Sequence, residues 1–202
     1  MTTPLSAEDY RRQPYIVEPL RRPDFALLSD GGGCLLVTTV ERARDLRRPA
    51  VVVARMQGLH TGRDEFIFAP PGLGVFSQND TRRIEHNPVY AMAGLTGADD
   101  VDSLQLYDAF SPNLVFVLER FGFTAEGEAL DWLQNGRIGL GGELPTNTAG
   151  GLLSEAHICG WGHMIEATRQ LRGQAGDRQV DGCEIVQWAT PFGDSLIFTK
   201  DR

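Results

Sequence analysis

Runs of apolar residues separated by glycine, proline and charge mark out the elements of this chain. FALLSDGGGCLLVTT holds an apolar run, a glycine break and a second apolar run. The second run, Cys34 to Thr39, predicts a buried strand. VERARDLRR (40–48) is built of helix formers and is stopped by Pro49, and AVVVARMQG (50–58) is a β-branched run closed by glycine. The three together predict a β-α-β segment. The first 23 residues hold four prolines and read as loop with one short helical turn, and residues 59–76, rich in glycine, read as a connection. IEHNPVYAMAGLTG (84–97) predicts a helix and DSLQLYDAF (102–110) a strand. Ser111-Pro112 has the pattern of an N-cap followed by proline at the first helical position. It opens NLVFVLERFG, where Leu114, Val115, Val117, Leu118 and Phe121 recur at helical spacing. GEALDWLQNG predicts a shorter helix ending at Gly136, and IGLGGELPTN a loop. Ile165, Ala167 and Leu171 give a longer amphipathic helix. CEIVQWAT (183–190) and SLIFTK (195–200) give two strands joined by the turn PFGD. The order predicts an α/β protein whose strands are buried on both faces, with 103–107, 183–190 and 195–199 in one sheet.

Composition narrows the function classes. The 202 residues are 42% hydrophobic and 23% charged, as expected of a globular chain. The net charge of −8 argues against nonspecific nucleic-acid binding, which needs clustered cations. Arginines pair at Arg11-Arg12, Arg21-Arg22 and Arg47-Arg48, either as solvated faces or as a grip on phosphate or carboxylate. Three cysteines without CxxC spacing, Cys34, Cys159 and Cys183, point to a reducing, cytoplasmic setting. The N-terminus lacks the basic start and apolar core of a signal peptide, and no window reaches the length of a membrane span.

Candidate chemistry concentrates in two stretches. NTAGGLLSEAHICGWGHMIEATRQLRG (147–173) places His157, Cys159 and His163 between a glycine pair and the amphipathic helix. Near a helix start, free amides disfavour imidazolium, so a neutral His157 can serve as base or oxyanion donor. A capping or packing histidine fits the same residues. His163, further along the helix, reads as a core or surface histidine. The HxC-xxx-H spacing is not that of a zinc site and no second cluster completes it, so no metal is expected. The second stretch, SLQLYDAFSPN, ends a strand just before a helix, where side chains line ligand crevices in α/β folds. This makes Tyr107 and Asp108 candidates, Tyr107 as proton donor or base. DGGGC (30–34) lacks the Lys-Ser/Thr of a P-loop and marks a bulge or a close backbone approach. GLGGELP (139–145) fails the dinucleotide pattern, with no strand before it.

Taken in order, these motifs resemble thiolases. SDGGGCLLVTTVERARDLRRPAVVVARMQG is similar to the closing part of the thiolase N-terminal domain. YDAFSPNLVFVLERFGF, GEALDWL and LPTNTAGGLLSEAHICGW are similar to the C-terminal domain, with its NEAF-like motif, N-x-x-GG run and GHP-like histidine. The tail GWGHMIEATRQLRGQAGDRQV is nearest to the lipid-transfer or sterol-carrier branch, which includes steroid side-chain-cleaving aldolases. The resemblance implies a partial thiolase-like fold: a remnant of the N-terminal domain over 1–58, a connection over 59–82 and a nearly complete C-terminal α/β domain over 83–202. It implies catalytic roles for His157, at the GHP histidine, and Tyr107, where NEAF has asparagine. Substrate contacts would come from Asp108, Asn147, Gly150 and Gly151. QWATPFG (187–193) stands where thiolases carry a CxGGG cysteine, and Cys183 does not replace it. The family's nucleophilic cysteine lies in the half to which nothing here corresponds.

The activity so implied is retro-aldol C–C cleavage or acyl transfer on lipid- or steroid-type acyl-CoA, with coenzyme A entering as part of the substrate and no other cofactor. A noncatalytic partner subunit or an inactive fragment is the alternative. Such a chain is expected to behave poorly alone and to join a homodimer, a separate thiolase half or an OB-fold zinc-ribbon protein.

Overall fold

In a computed structural model, residues 4–58 and 88–201 are described. The expected connection over 59–76 and the first residues of the 84–97 helix lie outside them. Helix α1 spans Ala7–Arg12, followed by a small hairpin of β1 (Tyr15–Val17) and β2 (Leu20–Arg21). The chain continues through α2 (Val40–Arg44), β3 (Val51–Gln57), α3 (Pro88–Ala93) and β4 (Ser103–Leu106). Then come α4 (Asn113–Arg120), α5 (Ala129–Trp132), α6 (Gly151–Ser154) and α7 (Trp161–Leu171), and finally β5 (Ile185–Ala189) and β6 (Ser195–Lys200).

The main sheet has four strands in the order β3-β6-β5-β4. β5 and β6 form the antiparallel hairpin expected across PFGD, β3 adds antiparallel to β6, and β4 runs parallel to β5. β4, β5 and β6 thus share one sheet, as their sequences predict. Side chains alternate between two layers. Leu104, Leu106, Ala189 and Ile197 pack with Val117, Leu118 and Phe121 on one face. Val186 and Phe198 pack with Ala167 and Leu171 of α7 on the other. This is the α/β arrangement that the spacing predicts, helices covering a sheet on both faces.

The α7 face is less apolar than its sequence suggests. His163, Glu166, Ala167, Gln170 and Leu171 are its buried residues, while Ile165 is only half-buried. Ser103 and Gln105 of β4 are buried polar residues too. Glu166 Oε1 accepts from Thr148 Oγ1 at 2.9 Å and from Gln170 Nε2 at 3.1 Å, and Arg178 donates to both Glu166 oxygens. Buried polar groups persist when such partners satisfy them.

Two local readings are corrected. Cys34–Thr39 is not a strand. Leu36 and Val37 are 86% and 80% exposed, and no neighbouring ladder pairs with the segment, so its apolar side chains have nothing to pack against. Hence no β-α-β unit forms before β3. The preceding DGGG run does make the close approach expected of it. A Cβ at Gly33 would lie 2.8 Å from Ile165 Cδ1 and 3.1 Å from Trp161 Cβ, so the chain crosses α7 where only glycine fits. Ser111 likewise is no side-chain cap. Its hydroxyl donates to Asp24 Oδ1 at 2.6 Å, while Pro112 enters the helix with φ −62°.

Asp24 therefore fastens the N-terminal segment to the start of α4. It is 6% exposed and also accepts from Tyr10 Oη at 2.7 Å and Arg21 N at 2.6 Å. Burial pushes its carboxyl up, but the hydrogen bonds from Ser111, Arg21 and Tyr10 outweigh burial and hold it below the usual carboxylate range. A depressed folded pKa adds stability that is present above the unfolded value, about 3.9, and is lost as pH falls through the folded value. Asp24→Ala strands three donors and is expected to cost about 1–3 kcal/mol at neutral pH. Urea melts at pH 7 and in the acid range, where the gap between parent and variant closes, check both parts.

Candidate functional site

β4 points its carboxyl end at the place where four segments meet. Tyr107, the first residue beyond the strand, donates its N–H to Ala189 O at 2.9 Å, and its carbonyl accepts from Asn113 Nδ2 at 3.1 Å. The backbone of Tyr107 is thereby fixed between β5 and α4. Its phenol reaches out to His157, with Oη 3.0 Å from Nε2 and the rings edge to face at 6.0 Å between centroids. Both side chains are half-buried.

His157 does not sit among helix amides. It lies in the link between α6 and α7, four residues before α7 begins, and makes an isolated bridge with Leu28. Its own N–H is donated to Ser29 Oγ at 3.2 Å. The expected dipole effect on the imidazole is therefore replaced by a strand-like contact with the segment that carries the glycine run. That segment also bridges Phe25 to Phe110, so residues 25–29 run past both Tyr107 and His157. Nothing in the pattern of residues 24–33 announced this wall. Its glycines, which permit the close crossing of α7, are the one sequence signal for it.

Tyr107 holds its proton more firmly than an ordinary phenol. Burial is the main cause, and electrostatic interaction with Cys159, Asp108 and Asp194 adds to it. The phenol thus keeps its proton at neutral pH and can donate it to Nε2 of His157 in the tautomer that leaves that nitrogen bare. Cys159 is exposed and has a left-handed backbone, with φ 52°. Asp194 belongs to the β5–β6 turn, where Thr190 Oγ1 donates to it, and burial pushes its carboxyl up. Of the two, only Asp194 went unmarked in the sequence.

The residues expected to contact substrate are built into the frame of the site. Asn147 continues the edge of β4: its Oδ1 accepts from Leu106 N at 2.8 Å and its Nδ2 donates to Leu106 O at 3.1 Å. Asp108 accepts from Leu152 N at 2.8 Å, from Leu153 N at 3.4 Å and from His163 Nε2 at 3.0 Å. Gly150 and Gly151, with φ of 107° and 61°, turn the chain into α6 directly against Asp108. The structure thus brings Tyr107 and His157 into contact, and sets Asp108, Asn147, Gly150 and Gly151 behind them. His163, read as a core or surface histidine, is in the core and bonded to Asp108.

Residues 84–190 match the family described as thiolase C-terminal domain-like. A 17-hydroxy-3-oxo-4-pregnene-20-carboxyl-CoA lyase of Mycobacterium tuberculosis is 38% identical over 84% of this chain and 44% of the lyase. A steroid side-chain-cleaving aldolase of Thermomonospora curvata is 37% identical over 91% of this chain and 46% of the aldolase. Among solved structures, an Ltp2-ChsH2(DUF35) aldolase superposes with a TM-score of 0.86 at 34% identity, covering 98% of this chain and 52% of that one. The chain spans about half the length of the curated lyase and aldolase it matches.

Proposed function

Since the chain belongs to the thiolase C-terminal domain-like family, we propose that it is an acyl-CoA-processing subunit that cleaves a C–C bond by retro-aldol chemistry. The observation that carries this reading is the Tyr107–His157 pair, 3.0 Å apart at the carboxyl end of β4. The names of the lyase and the aldolase support the substrate class, a steroid-type acyl-CoA bearing a β-hydroxyl.

The reaction needs a group to take a hydroxyl proton and a group to return one. His157 Nε2 takes the proton of the substrate hydroxyl. The C–O bond becomes a carbonyl, the adjacent C–C bond breaks, and its electron pair passes to the thioester enolate. The Tyr107 phenol, kept protonated by burial, protonates the enolate carbon. The proton held by His157 then returns to the phenolate across the existing hydrogen bond, so the pair ends as it began. The products are a ketone and a shortened acyl-CoA. Neither step requires a nucleophilic cysteine. Asn147, Gly150 and Gly151 act in this scheme through the backbone they shape around the pair, and Asp108 through the helices it holds. A cytoplasmic setting suits a CoA-ester substrate.

The similar Ltp2-ChsH2(DUF35) aldolase, named for two components, also supports a hetero-oligomer with a DUF35-type, OB-fold zinc-ribbon partner. The test is an assay of the chain co-expressed with such a partner, on a β-hydroxy acyl-CoA with a steroid side chain. Ketone and shortened acyl-CoA should appear in equal amounts. Stable complex formation with no product in the presence of intact substrate would favour a scaffold role instead.

A further inference from the structure

His163 stands outside the reacting pair, yet it is placed as no space-filling residue needs to be. Its side chain is 1% exposed, and Nε2 lies 3.0 Å from Asp108 Oδ1. Nδ1 is equally buried and has no hydrogen-bond partner among the described residues. A buried nitrogen without a partner is costly, and a leucine of similar bulk would avoid that cost. What the imidazole adds over leucine is the bond to Asp108. That carboxylate already accepts two amides from α6, so His163 must be the donor.

Asp108 is the residue next to Tyr107, and its carboxylate grips the two helices between which His157 hangs. On one side it takes Leu152 N and Leu153 N of α6, and on the other His163 of α7. His157 lies in the short link between these helices. We infer that His163 is a positioning residue: through Asp108 it locks α7 to the end of β4 and so fixes His157 at hydrogen-bonding distance from Tyr107. The inference rests on the assignment of Tyr107 and His157 as the reacting pair.

The test reads the pair directly and needs no turnover. In the full chain, the imidazole nitrogens of His157 are followed by 15N NMR and the fold by circular dichroism. In the parent, Nε2 should show the shift of a hydrogen-bonded ring nitrogen. In a folded His163→Phe protein that signature should be lost, and the Tyr107 phenol should titrate closer to an ordinary tyrosine. His163→Gln, which keeps an N–H for Asp108, should restore both signals. A folded His163→Phe protein with parental His157 and Tyr107 signals overturns the inference. Should the phenylalanine variant not fold, His163→Gln decides: parental signals uphold the role, and a shifted pair or an unfolded protein overturns it. Since no readout depends on substrate, an inactive chain with the expected shifts would count against the retro-aldol reading alone.

Discussion

Replacing Tyr107 by phenylalanine, or His157 by alanine, lowers acyl-CoA cleavage by roughly a hundredfold or more, the usual loss when a general acid, base or oxyanion donor is removed. The two changes differ in what they leave behind. Tyr107→Phe keeps the ring in its half-buried place and removes only the hydroxyl, so stability should hardly move. His157→Ala keeps the backbone bridge to Leu28 and the N–H bond to Ser29, so the link between α6 and α7 should hold its course. Each variant should therefore lose kcat while the fold persists. The double variant should be little worse than either single one, because the two groups pass one proton between them. The comparison is made in the complex with a DUF35-type partner, using steady-state rates and melting curves side by side. If His157→Ala turns over as fast as the parent while His163→Ala does not, the assignment is wrong.

The parts of this fold that were legible in the sequence are those where burial and period coincide. β5 and β6 alternate between two apolar layers, and α4 places Val117, Leu118 and Phe121 on one face, so their patterns read correctly. Cys34–Thr39 has the same apolar look, but a strand exists only where a neighbour supplies hydrogen bonds, and the sequence of one segment does not carry its neighbour. α7 erred in the other direction. Its buried stripe of His163, Glu166 and Gln170 is polar because it faces Ser103, Gln105 and the Thr148 loop, a fact of tertiary contact alone. The order of motifs picked out Tyr107 and His157, whose side chains the structure brings into contact. Ser29 was not picked out, because it comes close to His157 only through a chain crossing. The bonds of Asp108 to Leu152 N, Leu153 N and His163 could not be read from the sequence, because a carboxylate at a strand end looks the same whatever it faces.

Gly151→Ala is expected to lower the stability of the folded protein by several kcal/mol, a large share of what a domain has. Residue 151 has φ +61°, a conformation that costs an L-residue about 1–2 kcal/mol. A Cβ there would overlap both oxygens of Asp108 and lie 2.7 Å from Asn147 Nδ2. None of these is the free end of a flexible side chain. Asp108 is held by Leu152 N, Leu153 N and His163, and Asn147 by both backbone groups of Leu106. Making room means breaking bonds to a charged group worth about 1.5–3 kcal/mol each. Strain and one such loss already come to roughly 2.5–5 kcal/mol, against a total stability on the order of 5–15 kcal/mol for a domain. Gly32→Ala is the matched control, since a Cβ there meets nothing within 4 Å and its φ lies outside the left-handed region. That substitution should leave the urea midpoint within a few tenths of a kcal/mol of the parent, or raise it by restricting the unfolded chain. A Gly151→Ala protein as stable as the Gly32→Ala one would mean that Asp108 can swing clear without cost, and the clamp on α6 and α7 would then have no hold on the pair it flanks.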